Sequence, residues 1–396
     1  MHQLNAEQEQ AVKACEGPMI ILAGAGTGKT RVITHRIAEL VREKQINPFK
    51  IAAMTFTNKA AREMTERLEP LLGRQKSQKL WLGTFHSFCL KILRIYRSTL
   101  GLGRGFSLLS TSDQLALIKK AQEEEELNSE YQSSYLLEKI SLAKNMLLRA
   151  CDLDFERHEK DFKLDQQTFL DIKRVYTVYE KMSLLHQAID FDDCILKTVY
   201  LLKENDEIRE DLQDKLHYFL VDEFQDTNKS QFELLKLLAS KRQNICVVGD
   251  DDQSIYGWRG ALPEILSLFE KSFKNTKLVK LEQNYRSTSK ILNLANEVIK
   301  KNTERKTKKL WTPKNAGEPV NLKTFRFLSD ESEWIATKIS SLMANGVRLS
   351  EIAILYRTNA LAKHLEPFIA EKNLSYKVYG GQSFLERKEI KDLIAY

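Results

Sequence analysis

Eight residues, Ala23-Gly24-Ala25-Gly26-Thr27-Gly28-Lys29-Thr30, constrain this chain more than any other feature in it. They follow an apolar run at 19–23 and open a helical pattern, so the chain must turn sharply from a buried strand into a helix. Glycines let backbone N–H groups face inward around an anion without Cβ clashes. The helix beginning at Lys29 adds the partial positive charge of its N-terminus. Lys29 can reach β- and γ-phosphates, and the Thr30 hydroxyl can bind Mg²⁺. The pattern is that of a phosphate-binding P-loop, with Ala23 where glycine is usual.

Such a loop needs a parallel sheet around it, and the rest of the chain supplies the strands. Short apolar runs at 19–23, 51–56, 80–85, 218–221, 245–249 and 278–281 alternate with helical patterns, which reads as α/β. From about 111 to 208 the strand-like runs give way to charged helical stretches such as 114–127 and 136–150, so a helical insertion is expected there. The run Glu123-Glu124-Glu125-Glu126 within it reads as a solvated helix face. After Leu281 a second α/β pattern begins, with candidate strands at 320–325, 353–357 and 376–379, and 304–309 followed by 311–317 reads as a basic loop. With 396 residues, two or three domains are expected: 1–110 with 209–280, 111–208, and 281–396.

Charge and cysteine usage narrow the class of partner. Residues 281–396 hold 20 basic and 13 acidic side chains and so carry the whole net charge of +7. A basic face there could meet a polyanion. Cys15, Cys89, Cys151, Cys194 and Cys246 form no paired motif and read as reduced thiols of a cytoplasmic protein, not as a zinc site or disulfide framework. No basic-then-apolar leader precedes the first strand, and no apolar run approaches a membrane span, so no membrane partner is expected.

Two further stretches carry chemistry. The apolar run Tyr218-Phe219-Leu220-Val221 ends in Asp222-Glu223. One carboxylate, Asp222, suits a Mg²⁺ ligand, and Glu223 can orient or deprotonate an attacking water. The run ending at Gly249 leads into Asp250-Asp251-Asp252-Gln253-Ser254-Ile255-Tyr256-Gly257-Trp258-Arg259-Gly260. Gln253 is a polar group suited to sensing a γ-phosphate, and Tyr256 and Trp258 are aromatics in a glycine-containing loop, where nucleic-acid bases could stack.

Together the P-loop, Val221-Asp222-Glu223-Phe224-Gln225-Asp226-Thr227, the 249–260 stretch and Leu281-Glu282-Gln283-Asn284-Tyr285-Arg286-Ser287-Thr288 resemble the superfamily-1 DNA helicases of the UvrD/Rep/PcrA group. The resemblance runs from Leu4 to Tyr396. It implies a RecA-like parallel sheet with a helical insertion, followed by a second, incomplete RecA-like lobe, with ATP between the lobes. It also implies ATP and Mg²⁺ as ligands and single-stranded DNA or single–double-strand junctions as partners, with 3′→5′ movement in repair or replication. By the same resemblance Gln8 reads the adenine edge, Arg31 and Tyr285 contact the nucleotide, Gln253 couples the γ-phosphate to DNA, and Arg286 reaches the γ-phosphate as an arginine finger. DNA contacts are implied for Phe56, Thr57 and Asn58, for Thr84 and His86, for Tyr256, Trp258 and Arg259, and for Arg357 and Asn359. The stretches 380–384 and 387–392 also match the group.

The resemblance also implies more chain after Tyr396, with two further motifs, one of which supplies a second arginine. The expectation is therefore an ATP-dependent helicase or translocase portion. The alternative is a catalytically impaired nucleotide- and DNA-binding fragment of one. A recombination helicase–nuclease fits the 221–227 and 249–260 stretches less well, and a small-molecule kinase leaves the Tyr256/Trp258 loop unexplained.

Overall fold

The computed structural model describes residues 4–127, 130–303, 305–379 and 393, so the matches at 380–384 and 387–392 lie outside the described residues. The chain divides into two compact units, Met1–Glu318 and Pro319–Tyr396.

The first unit is built on strands β1 (Met19–Ala23), β2 (Ile51–Thr55), β3 (Trp81–Thr84), β6 (Tyr218–Val221), β7 (Ile245–Gly249) and β8 (Lys277–Leu281). They pair in parallel in the order β3-β2-β6-β7-β1-β8. These are the six runs expected from sequence. Alternate residues serve opposite faces, as the two-residue strand period requires. Ile20, Leu22, Ala52, Met54, Phe219, Val221 and Val247 enter one core, and Met19, Ile21, Ala53, Leu220, Cys246 and Val248 enter the other. Both faces of β1, β2, β6 and β7 are covered, which is why these inner strands read as unbroken apolar runs, while β3 and β8 at the edges are partly exposed.

Helices α1 (Ala6–Lys13), α2 (Lys29–Arg42) and α3 (Asn58–Leu72) cover the second of those faces, and the four-residue α4 (Arg74–Ser77) follows them. Helix α5 (Phe85–Ile95) packs on the other face. Between the halves of the sheet, α6 (Thr111–Glu124), α7 (Ser133–Asn145), α8 (Phe155–Phe162) and α9 (Gln166–Leu185) enclose their own core around Ile118, Ile140, Phe169 and Tyr176. A two-residue parallel pairing of β4 (Ser107–Leu108) with β5 (Ala188–Ile189) closes the base of this insertion. Helix α10 (Phe191–Glu204) lies within the expected insertion span but contributes Cys194, Leu196 and Val199 to the core of the sheet, and α11 (Asp206–Lys215), which crosses the end of that span, adds Leu212. The glutamate run is a solvated helix face only at Glu123 and Glu124, which end α6 exposed; Glu125 caps the helix and pairs with Arg174, and Glu126 takes a left-handed φ of 59°.

Helices α12 (Lys229–Ala239), α13 (Ile265–Ser272) and α14 (Ser289–Ile299) complete the first unit. Residues 281–318, grouped with the second α/β pattern in the sequence reading, lie in this unit. The second unit holds α15 (Leu328–Ala344) and α16 (Ala360–Glu371), whose core is Ile339, Leu365, Ile369 and Leu374. The candidate strands at 320–325, 353–357 and 376–379 are corrected here: no ladder forms at any of them among the described residues. An apolar run becomes a strand only when a partner satisfies its backbone groups, and among the described residues these runs meet none. No helix among the described residues is long and apolar enough to cross a membrane.

Candidate active site

The sheet order sets the site. Strands β6, β7 and β1 are neighbours, in register Leu22↔Gly249 and Val221↔Val247, so their following loops emerge side by side. The carboxyl edge of a parallel sheet is where such folds bind ligands.

After β1 the P-loop turns through Gly26 (φ 71°) and Gly28 (φ 89°), left-handed conformations that side chains resist. Gly28 then serves as the N-cap of α2, which starts at Lys29. Thr27 closes the loop through Oγ1 donating to the Gly24 carbonyl at 2.8 Å. The loop is braced from two sides. Gln8 is 1% exposed and donates from Nε2 to the Thr27 carbonyl at 2.9 Å, while its Oε1 accepts from the Asn5 backbone at 3.1 Å. Asn284, also 1% exposed, donates to the Ala25 carbonyl at 2.6 Å, and its Oδ1 accepts from the Arg286 and Ser287 backbones. Tyr285 donates its backbone N–H to Gly26 and accepts at its hydroxyl from Asn5 Nδ2 at 3.0 Å. Tyr285 and Arg286 thus stand beside the P-loop with exposed side chains. Arg31 faces an open groove of 650 Å³ between α1 and α2, shared with Leu4, Val12 and His35.

Lys29 Nζ lies 2.9 Å from Glu223 Oε2, joining residues 194 positions apart. Gln225 Nε2 donates to the same oxygen at 3.0 Å, and its Oε1 accepts from the Asp250 backbone. Glu223 sits at φ 49°, a strained conformation that turns its carboxylate toward the lysine. Burial, then the neighbouring Glu223, push Asp222 up to about 6. Asp226 is likewise pushed up to about 6 by burial and Glu223, and its Oδ1 has no hydrogen-bond partner. The Thr30 hydroxyl and Asp222 carboxylate are hard oxygen donors, and a divalent cation would relieve this crowding of negative charge. They fit Mg²⁺.

Beyond β7 the turn Asp251–Gln253 is held by Asp250, whose Oδ1 accepts from the Asp252 backbone and whose Oδ2 accepts from Gln253 Nε2. Asp250, Asp251 and Asp252 bring three carboxylates together, but the Lys308 ammonium already sits among them at 2.6 to 2.7 Å. Burial opposes that charge and the three carboxylates outweigh it, raising the Lys308 pKa.

The same sheet edge carries the residues of the first unit that are expected to touch DNA. Thr55 of β2 pairs with Thr84 of β3, so 56–58 and 84–86 leave the sheet together. Thr57 and Thr84 are the N-caps of α3 and α5. Phe56 stacks on Tyr256 with ring centres 6.2 Å apart, and Tyr256 lies 6.2 Å from Trp258, which is 71% exposed. His86 stacks on Phe191 at 4.0 Å, and burial lowers its pKa to about 4. Arg259 lies in the 3-10 turn Gly257–Arg259. Arg357 and Asn359 belong to the second unit, both exposed, with Asn359 preceding α16.

Sequence reasoning gave no role to Asn284, Gln225 or Lys308. Asn284 and Gln225 lay inside the motif stretches, which was the available signal. Lys308 read as part of a basic loop and carried none.

The profile of the UvrD/REP helicase N-terminal domain matches residues 4–274, and that of the UvrD-like helicase C-terminal domain matches 279–396. The ATP-dependent DNA helicase PcrA of Staphylococcus aureus is 45% identical over 397 residues, covering 100% of this chain and 53% of the relative. The protein of that name from Staphylococcus epidermidis is 45% identical over 394 residues, covering 99% and 53%. The chain spans about half the length of the curated relatives it matches. With its P-loop, paired carboxylates and aromatic strip on one sheet edge, and with both profiles matched in sequence, the chain belongs to the UvrD/Rep helicase family.

Proposed function

We propose that this chain carries the ATP-binding and DNA-gripping machinery of an ATP-dependent DNA helicase that moves on single-stranded DNA. The observation that carries the reading is the convergence of Lys29, Asp222, Glu223 and Gln253 on one sheet edge with the Phe56–Tyr256–Trp258 strip.

In this reading the P-loop N–H groups and Lys29 bind the phosphates, so Lys29 exchanges Glu223 for the nucleotide. Mg²⁺, held by Thr30 and Asp222, would screen the phosphate charge. The released Glu223 carboxylate orients the attacking water and accepts its proton. Gln253 and Arg286 report on and stabilise the γ-phosphate, and Gln8, Arg31 and Tyr285 surround the base. Phosphates of the strand meet the N-termini of α3 and α5 at Thr57, Asn58 and Thr84. Bases stack on Tyr256 and Trp258, beside His86 and Arg259, and Arg357 and Asn359 add contacts from the second lobe. Stacking and phosphate contacts tolerate any sequence, so little sequence preference follows. By family likeness the movement is 3′→5′, the substrate includes single–double-strand junctions, and the setting is cytoplasmic repair or replication. The lobes are 1–110 with 209–280 and 281–396, with 111–208 inserted between the halves of the first.

Mg-ATP and oligo-dT binding to the purified chain, beside Lys29→Ala, test this. Lys29→Ala should lose Mg-ATP binding at least about tenfold, the scale of a charge-assisted contact, and keep oligo-dT binding. Wild-type chain that binds neither ligand would overturn the reading.

A further inference from the structure

The segment 305–311 touches three parts of the nucleotide machinery that are far apart in sequence. Its first residues grip the turn after β7. Arg305 forks onto Asp252, with Nε and Nη2 each 2.6 Å from a carboxylate oxygen. The Lys306 backbone donates to Asp251 at 2.6 Å, and its ammonium holds both oxygens of Glu270 at 2.8 Å. Lys308, 6% exposed, places its ammonium among all three aspartates. Its last residues grip the P-loop side. Leu310 packs so close to Gly24 that a Cβ there would lie 2.3 Å from its Cδ2. Trp311 exchanges backbone hydrogen bonds with Glu282 and Asn284, the stretch that leads to Arg286.

We propose that residues 305–311 form a clip over the phosphate-sensing loops, and that Lys308 is the positioning residue that fixes Gln253 through Asp250. The chain of contacts is direct. Asp250 gives Oδ1 to Lys308 and Oδ2 to Gln253 Nε2. Three carboxylates whose ligand oxygens lie within 4.8 Å of one another repel unless a cation sits between them. Lys308 is that cation, and it makes the turn a defined shape before any nucleotide binds. A solvated basic loop would do none of this. The functional half of the proposal rests on the reading of Gln253 as the γ-phosphate sensor, and the test separates the two.

The test uses the 396-residue chain, wild type and Lys308→Met, with two readouts. Amide hydrogen exchange in the nucleotide-free protein should speed up about tenfold or more across 250–254, while β7 stays protected. The preference for Mg-ATP over Mg-ADP should fall about tenfold, as in Gln253→Ala, with ADP affinity within about twofold of wild type. Unchanged exchange in the turn overturns the clip. Faster exchange with an unchanged ATP preference overturns the link to Gln253. Wild-type protein that binds no Mg-ATP sinks the functional reading instead, and the exchange result still decides the clip. Lys308→Met leaves the cluster one charge more negative. Where it does not fold, Lys308→Met with Asp251→Asn restores the net charge of −1 that three carboxylates, Lys308 and Arg305 give the cluster, and carries the same two readouts.

Discussion

His86 is pressed against the Phe191 ring, and burial holds its pKa near 4, so it is neutral at pH 7. A neutral imidazole carries no charge to pair with a phosphate, so in the proposed strand binding its part is stacking or a hydrogen bond. The same burial has a cost in acid. The unfolded chain binds a proton on His86 below about 6.5, and the folded chain does so only near 4. Between those values the unfolded state holds more protons, so stability rises with pH across that window. His86→Phe should flatten the rise, and urea midpoints at pH 5 and pH 7 measure it. An equal loss at pH 5 in wild type and variant would contradict the assignment. At this scale the P-loop lysine and the Asp222-Glu223 pair were legible because their chemistry is contiguous in sequence. Lys308 was not, because its role exists only once folding brings it to Asp251, 57 positions away.

The strands of the first unit were legible for a physical reason. The inner strands β1, β2, β6 and β7 are buried on both faces, so each is a continuous apolar run between turn or helix signals, whereas β8 at the sheet edge exposes Lys277, Leu278 and Lys280. Leu22, at 0% exposure in the centre of β1, shows what that burial contributes. Leu22→Ala should destabilise the first unit by ~2–5 kcal/mol, since the rigid sheet around it cannot collapse into the cavity. A chemical denaturation midpoint close to wild type would refute this. In the second unit the same apolar signal misled, because runs such as 353–357 carry strand-like composition without a ladder. The glutamate run was legible by half: Glu123 and Glu124 lie exposed on α6, but the helix stops there, with Glu125 drawn to Arg174 from α9.

Across the whole molecule the basic excess lies in 281–396, but it is not all available to a polyanion. Arg305, Lys306 and Lys308 are already paired with Asp250, Asp251, Asp252 and Glu270. The salt dependence of the proposed strand binding should therefore count fewer contacts than the composition suggests, at ~0.7 log units per phosphate contact for each tenfold change in salt. In the proposed function the sheet edge joins a nucleotide site to a strand-binding face. Phosphate release by the purified chain, with and without oligo-dT, beside Glu223→Gln, tests it most directly. Oligo-dT should stimulate turnover, and Glu223→Gln should lower it by ~10²–10⁴, the usual contribution of a positioned general base. Turnover indifferent to both oligo-dT and Glu223 would contradict it.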